Sequence, residues 1–123
     1  MADGNDVTLF AKLCVDHWKL IQRFTKAIEL LPEGERARLS SQLRYSELQL
    51  NSLASEAGVK IVTFDGEPYG PGCPASADNL GDFDTEENLF VEKTLEPTVV
   101  HDMRTMLAGR VLLASTTTPP TGR

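Results

Sequence analysis

The side chains that could perform acid–base, nucleophilic or metal chemistry are few in this chain and far apart. Its two histidines are His17, on an apolar helical stripe, and His101, which has no nearby cysteine or second histidine to complete a zinc-binding spacing. We interpret His17 as a packed histidine or as a polar position that fixes helix register. Cys14 lies on the same stripe and Cys73 in a loop rich in glycine and proline, and we expect no disulfide between them. We therefore predict a protein that is not an enzyme and that holds no metal ion and no cofactor.

Acidic side chains are concentrated in the second half of the chain. Asp82, Asp84 and Glu86 alternate as at the start of a calcium-binding loop, but the glycine and terminal glutamate of such a loop are not at the expected positions. We interpret the acidic segment 78–87 as a solvated loop. Residues 58–123 contain 5 Lys+Arg and 10 Asp+Glu, which accounts for −5 of the net charge of −6. This charge argues against nucleic acid and against an anionic membrane surface as partners.

The length and hydrophobicity of the chain limit its architecture. A chain of 123 residues, 41% hydrophobic, fits one domain or a helical module with a small second unit. No stretch approaches 18 apolar residues, and the chain does not open with a charged segment followed by an apolar run. We expect a cytoplasmic protein.

The clearest structural signal is an apolar stripe in the first 31 residues. Its members recur at intervals of three and four, which places them on one side of an α-helix over 7–31. Leu9, Leu13 and Leu20 lie beside the stripe and make it wider than one neighbouring helix would cover. We therefore predict self-association, as a homodimer, through the residues of the stripe Phe10, Cys14, His17, Ile21, Phe24 and Ile28.

A second helical pattern follows a break at Pro32 and Gly34. Its apolar stripe runs from Leu39 to Ala57, and its register is shifted by one position relative to the first stripe. We prefer an antiparallel helical hairpin that turns over residues 32–35, and the alternative is one kinked helical rod. Gly58 is expected to end the second helix.

From residue 59 onward the composition is typical of β structure. Strands are predicted over 59–64, 89–95, 98–100 and 110–114, with a turn at Asp65-Gly66 and a loop over 67–79. The tail 116–123 is predicted to be disordered. The expected domains are a helical dimerisation module at 1–57 and a small β-domain at 58–115. The expected fold class is α+β: an N-terminal two-helix hairpin, four helices in the dimer, and then a small antiparallel β-domain.

Several short motifs of the second half occur together in a fixed order, and the acidic loop lies among them. They are Gly58-Val59-Lys60-Ile61-Val62, then Glu67-Pro68-Tyr69-Gly70-Pro71, a strand with Val91 and Lys93, and Arg104-Thr105-Met106-Leu107-Ala108-Gly109-Arg110-Val111. In order and approximate spacing, the motifs of residues 58–115 resemble those of the C-terminal β-domain of the GrpE family. Proteins of this family are nucleotide-exchange factors of Hsp70 chaperones. The two predicted helices stand where that family has its dimerisation helices.

The resemblance implies a function and a set of binding residues. Members of the family are homodimers whose β-domain binds the ATPase domain of the chaperone and promotes nucleotide release. By position in the motifs, the partner-binding residues would be Tyr69, Pro71, Arg104, Leu107 and Ala108.

The sequence also departs from the family pattern. Gly70 replaces the usual aspartate, no His-Glu-Ala follows it, and the helices break at Pro32 instead of continuing as a long rod. An alternative is therefore a non-catalytic adaptor or assembly subunit that uses the same architecture to bind a different protein. The sequence does not identify that partner, and it does not distinguish a dimer from a higher oligomer.

Overall fold

The chain begins with a pair of α-helices, α1 (Gly4–Ile28) and α2 (Glu33–Glu56), in a computed structural model that describes residues 4–84 and 88–115. The helices are antiparallel, because Phe10 near the start of α1 shares a hollow with Leu53 near the end of α2. The predicted hairpin is confirmed, and the kinked rod is wrong. The α+β fold class is also confirmed.

The connection between the helices differs slightly from the prediction. The helix α1 ends at Ile28, not at Leu31, and α2 begins at Glu33, so the turn occupies residues 29–32 and not 32–35. Pro32 is the N-cap residue of α2, with φ −57° and ψ 154°, and its carbonyl oxygen accepts a hydrogen bond from the Arg36 N–H at 2.9 Å. A proline can stand at this position because a helix start leaves its first N–H groups without intrahelical partners.

Gly58 ends the second helix, as predicted. It has φ +74°, and its N–H donates to the Ser55 carbonyl at 3.0 Å, a pairing typical of a helix C-terminus closed by glycine. A Cβ at this position would lie 3.7 Å from the His101 ring, which is ordinary contact, so the positive φ is what favours glycine.

Within residues 4–84 and 88–115, six strands follow the helices and form two three-stranded sheets. They are β1 (Val59–Val62), β2 (Ala75–Ala77), β3 (Leu89–Glu96), β4 (Thr98–His101), β5 (Arg104–Leu107) and β6 (Gly109–Ser115). One sheet has the order β1-β4-β5 and the other the order β2-β6-β3. The sequence predicted one small antiparallel sheet, whereas two are present and β2 pairs with β6 in parallel.

Two of these strands were not predicted. The strand β2 lies inside the segment 67–79 that was predicted to be a loop, and a short 3₁₀ helix, Leu80–Asp82, follows within the acidic segment. The strand β5 pairs with β4 across a two-residue turn of Asp102 and Met103, whose φ angles of 52° and 63° are uncommon outside glycine and asparagine. The predicted tail 116–123 lies outside the described residues.

Contacts divide the described chain into two compact units. Unit 1 contains residues 4–61 and 99–107, and unit 2 contains residues 62–84, 88–98 and 108–115. The boundary between these units differs from the predicted domain boundary at residue 58, because the hairpin of β4 and β5 belongs to the same unit as the helices. The prediction of a separate helical module and β-domain stays a prediction. The core of unit 1 combines Ala11, Cys14, Ile21, Leu50 and Ala54 of the helices with Val59 of β1 and Val99 of β4.

The core of unit 2 consists of Phe64, Ala75, Val91, Val111 and Leu113. Buried polar groups fix its strands. The Thr98 hydroxyl donates to the Pro74 carbonyl at 2.7 Å and accepts from the Gly109 N–H at 2.9 Å. The Asn79 side chain donates to the Leu113 carbonyl and accepts from the Leu113 N–H, so it extends the pairing of β6 beyond β2.

Candidate functional site

The helix α1 packs on two neighbours of unit 1 and leaves a third side uncovered. It contacts α2 and β5, and its residues Ala11 and Cys14 are buried in the shared core. On the remaining side Leu13 is 63% exposed and Phe24 is 52% exposed, and Leu53 of α2, which shares a hollow with Leu13, is 53% exposed. The stripe is thus wider than α2 can cover, which agrees with the sequence argument.

This uncovered side contains two hollows between α1 and α2. Their volumes are about 280 Å³ and 290 Å³, and they share the side chains of His17 and Ser46. We call the surface that lines them the helical groove. Its other lining residues are Phe10, Leu13, Cys14, Leu20, Ile21, Phe24 and Ile28 of α1 and Leu39, Gln42, Leu43, Tyr45, Gln49, Leu50 and Leu53 of α2.

The helical groove carries no lysine, arginine, aspartate or glutamate among its lining residues in the described chain. A third hollow, which shares Ile21 and Leu43 with the groove, is by contrast lined in part by Arg44 and Glu47. Because the chain is 24% charged, an uncharged strip along both helices is a marked local departure from its composition. Such surfaces are typical of sites where another protein binds.

The residues predicted for dimerisation fall into two groups. Cys14, Ile21 and Ile28 are buried within their own chain, whereas Phe10 is half-buried and His17 and Phe24 are exposed. The structure brings all six to the helical groove, and it adds the flanking residues. Leu13 and Leu20 lie outside the three-and-four pattern. In the sequence, the feature that pointed to them was an apolar stripe wider than one neighbouring helix would cover.

The loop that carries Tyr69 and Pro71 is attached to the edge of β3. The Tyr69 N–H donates to the Leu89 carbonyl at 2.9 Å, and the Tyr69 hydroxyl donates to the Ala75 carbonyl at 3.3 Å. The Tyr69 side chain is half-buried in the core of unit 2, while Pro71 is exposed. Of these two predicted partner-binding residues, Pro71 is therefore the more exposed.

The other three predicted partner-binding residues lie around β5. Arg104 is exposed at the start of this strand, and Leu107 at its end packs against the core of unit 1. Ala108 is exposed and belongs to unit 2. The five predicted residues thus divide between the two units, and Leu107 has a packing role in its own chain.

A cluster of charges in unit 2 was not predicted from the sequence. Arg110 on β6 donates from Nε and Nη2 to the two carboxylate oxygens of Asp78, at 3.3 Å and 2.8 Å, and from Nη1 to Glu96 at 3.1 Å. The hydrogen bonds that Arg110 donates to Asp78 hold the pKa of the Asp78 carboxyl below its ordinary value and raise the pKa of the Arg110 guanidinium. The cluster is exposed and connects neighbouring strands, so it is a structural clamp.

The cysteines and the possible metal ligands are the reactive groups that can be placed in the described residues. Both cysteines are free, and burial raises the pKa of the Cys14 thiol and of the Cys73 thiol, which disfavours the nucleophilic thiolate. Among the described residues no group of three histidine, cysteine, aspartate or glutamate side chains could hold a metal ion. No helix in the described part of the chain is long and apolar enough to span a bilayer.

The chain was compared with protein-family models, with curated proteins and with solved structures, and no match was found.

Proposed function

We propose that this protein is a non-catalytic, homodimeric binding protein of the GrpE type, which binds the ATPase domain of an Hsp70-type chaperone and promotes nucleotide release. The helical pair provides self-association, and the β strands with their loops provide the chaperone contact. The cytoplasm is the compartment in which such a protein acts.

The observation that carries the proposal is the uncharged helical groove of unit 1, in a chain whose β strands and loops contain the quoted motifs. The groove supports self-association, since an uncovered apolar face of this length is unfavourable in water. Exposed Pro71, Arg104 and Ala108 support a partner contact at the motif positions.

The proposed mechanism is differential binding without bond chemistry. The protein binds the chaperone better when the nucleotide cleft is open, and its binding free energy shifts the population of the chaperone toward the open state. Linkage requires that ADP weaken binding of this protein by the same factor by which this protein weakens binding of ADP. The two factors can be measured independently.

The test is a titration of a purified Hsp70-type ATPase domain, with and without ADP, combined with the rate of release of a fluorescent ADP. We expect the affinity to fall in ADP and the release rate to rise at least about tenfold at saturation. Arg104→Glu should abolish the acceleration, whereas Lys60→Glu, an exposed charge reversal on β1 of the same sheet, should preserve it. Identical affinities with and without ADP would rule out this mechanism.

A second candidate function is an adaptor or assembly subunit with a different protein partner. It is favoured by the placement of Leu107, whose side chain packs in its own core although the resemblance assigns it to the partner contact. The turn of Asp102 and Met103, with Met103 almost fully exposed, offers a different contact point on unit 1. A pull-down from native extract separates the candidates: elution of an Hsp70 by ATP supports exchange, and a stoichiometric partner of another class supports the adaptor.

A further inference from the structure

We infer that the tip of the hairpin of β4 and β5 is a contact surface for a protein partner, and that Met103 is its apolar anchor. The partner that fits this tip has an apolar pocket of the size of a methionine side chain, with a carboxylate beside the pocket. The inference goes beyond the proposed function, because the resemblance assigns no role to Met103. It concerns the protein that binds beside Arg104, whether that protein is the chaperone or another.

Met103 combines an exposed apolar side chain with a strained backbone. Its side chain is 97% exposed, the highest value among the exposed large hydrophobic residues of the described chain. Its φ of 63° and the φ of 52° at Asp102 give the two-residue turn a left-handed geometry that favours Asn-Gly. Glycine at position 103 would remove both the strain and the exposed apolar surface. Strain and apolar exposure at one residue together indicate a site that is kept for binding.

The hairpin holds Met103 in a fixed position. The strand β4 lies between β1 and β5, and its pairing with β5 extends to His101 and Arg104 on either side of the turn. At the base of the hairpin Val99 pairs with Leu107, and both residues pack in the core of unit 1. A protruding side chain on such a support loses little conformational freedom when a partner covers it, which favours tight binding.

The charges beside Met103 indicate the chemistry of the partner. The Asp102 carboxylate has a neighbour in its own hairpin, because its Oδ2 lies 3.7 Å from Nδ1 of His101. Arg104 follows Met103 and is exposed at the start of β5. A partner that covers Met103 therefore meets a guanidinium group, and a carboxylate on the partner would complement it. The thioether of methionine is polarisable and flexible, so it fits an apolar or aromatic pocket well.

The test removes the anchor and relieves the backbone strain in one variant. Met103→Gly should raise the urea midpoint of unfolding, because glycine adopts a positive φ without strain. The same variant should weaken partner binding at least about tenfold, because the buried methionine side chain is lost. A residue with a purely structural role would not give this combination of higher stability and lower affinity. Met103→Leu, which keeps an apolar side chain of similar size, should preserve binding.

Leu30 provides the matched control. It is 87% exposed, lies in the turn between the two helices and has no positive φ. Leu30→Gly should therefore leave the urea midpoint unchanged or lower it, and it should leave partner binding unchanged.

The first binding probe is a purified Hsp70-type ATPase domain, titrated with the unmodified chain and with each variant. If the unmodified chain does not bind this domain, the exchange function fails. The variants are then compared for recovery of the stoichiometric partner from native extract. Loss of that partner in Met103→Gly contradicts only the exchange function, whereas binding to the ATPase domain that Met103→Gly leaves intact contradicts only the role of Met103.

A salt titration tests the carboxylate assigned to the partner. The affinity of the unmodified chain should fall as the ionic strength rises, and Arg104→Gln should remove most of that dependence. An affinity independent of salt would overturn this part of the inference. The role of Met103 is overturned by a midpoint of Met103→Gly that is not raised, by equal binding of Met103→Gly and Leu30→Gly, or by absence of a partner in both assays.

Discussion

Replacement of Gly109 by alanine is expected to be among the most destabilising single-methyl changes in unit 2. Gly109 begins β6, where the backbone passes directly over the chain from Glu96 to Thr98. An added Cβ would overlap the Glu96 carbonyl oxygen and would lie 2.8 Å from both the Pro97 carbonyl carbon and the Thr98 nitrogen. All three neighbours are backbone atoms, so rotation of a side chain cannot relieve the overlap.

The expected size follows from two contributions. Forcing an extra carbon into a packed site costs about 1–3 kcal/mol. The displacement also lengthens the hydrogen bond from the Gly109 N–H to the fully buried Thr98 hydroxyl, and a buried group that loses its partner costs about 1–3 kcal/mol. We therefore expect Gly109→Ala to lower the free energy of unfolding by about 3–5 kcal/mol.

Urea denaturation followed by circular dichroism measures this change. Gly72→Ala is the matched control, because an added Cβ there meets nothing within 4 Å, and we expect it to alter the free energy of unfolding by less than about 0.5 kcal/mol. Equal midpoints for the two variants would refute the argument from backbone contact at Gly109.

Two further predictions concern the cysteines and the charge clamp. Cys14 is 1% exposed and Cys73 is half-buried, so an alkylating reagent should modify Cys73 first and should reach Cys14 only as unit 1 unfolds. Mass spectrometry identifies the modified cysteine at each time point. Modification of Cys14 as early as that of Cys73 would contradict the burial of Cys14. The pKa of Asp78 is lower in the folded protein than the ordinary aspartate value of about 3.9, because Asp78 is paired with Arg110. This pairing therefore stabilises the folded protein fully at pH values above about 3.9, and the stabilisation is lost as the pH falls through the lowered pKa of the folded protein. Carboxyl NMR titration should show the Asp78 pKa rising toward the ordinary value in Arg110→Gln, and an unchanged titration would show that the clamp does not form in solution.

The helices could be predicted because their signals are local. The three-and-four spacing, Pro32 and Gly58 each act within a few residues, and the structure differs from the prediction only by a few positions at the hairpin turn. Leu30 and Leu31 extended the apolar stripe in the sequence, but the α-helical hydrogen bonding ends before them and Leu30 is largely exposed. Helix ends are set by which carbonyl groups find partners, which periodicity alone does not reveal.

The missed strands depend on contacts between distant residues. Ala75–Ala77 is short and has no β-branched residue, and it is a strand because it pairs with β6. Arg104–Leu107 was not recognised since its turn of Asp102 and Met103 lacks the glycine or asparagine that marks such turns in a sequence. The clamp of Arg110 with Asp78 joins residues 32 apart, a pairing that only the folded chain defines.

The geometry at Gly109 also bears on the resemblance to the GrpE family. Gly109 belongs to the longest of the quoted motifs, yet its identity is explained by the close passage of β6 over Glu96 and Pro97. Leu107 in the same motif is explained by packing in unit 1. Residues required by the fold recur in any chain with that backbone, whatever it binds. Arg104 and Pro71 are different, because both are exposed. Under the proposed function, variants at these two positions should therefore discriminate between exchange factor and adaptor better than variants of Gly109 or Leu107 would.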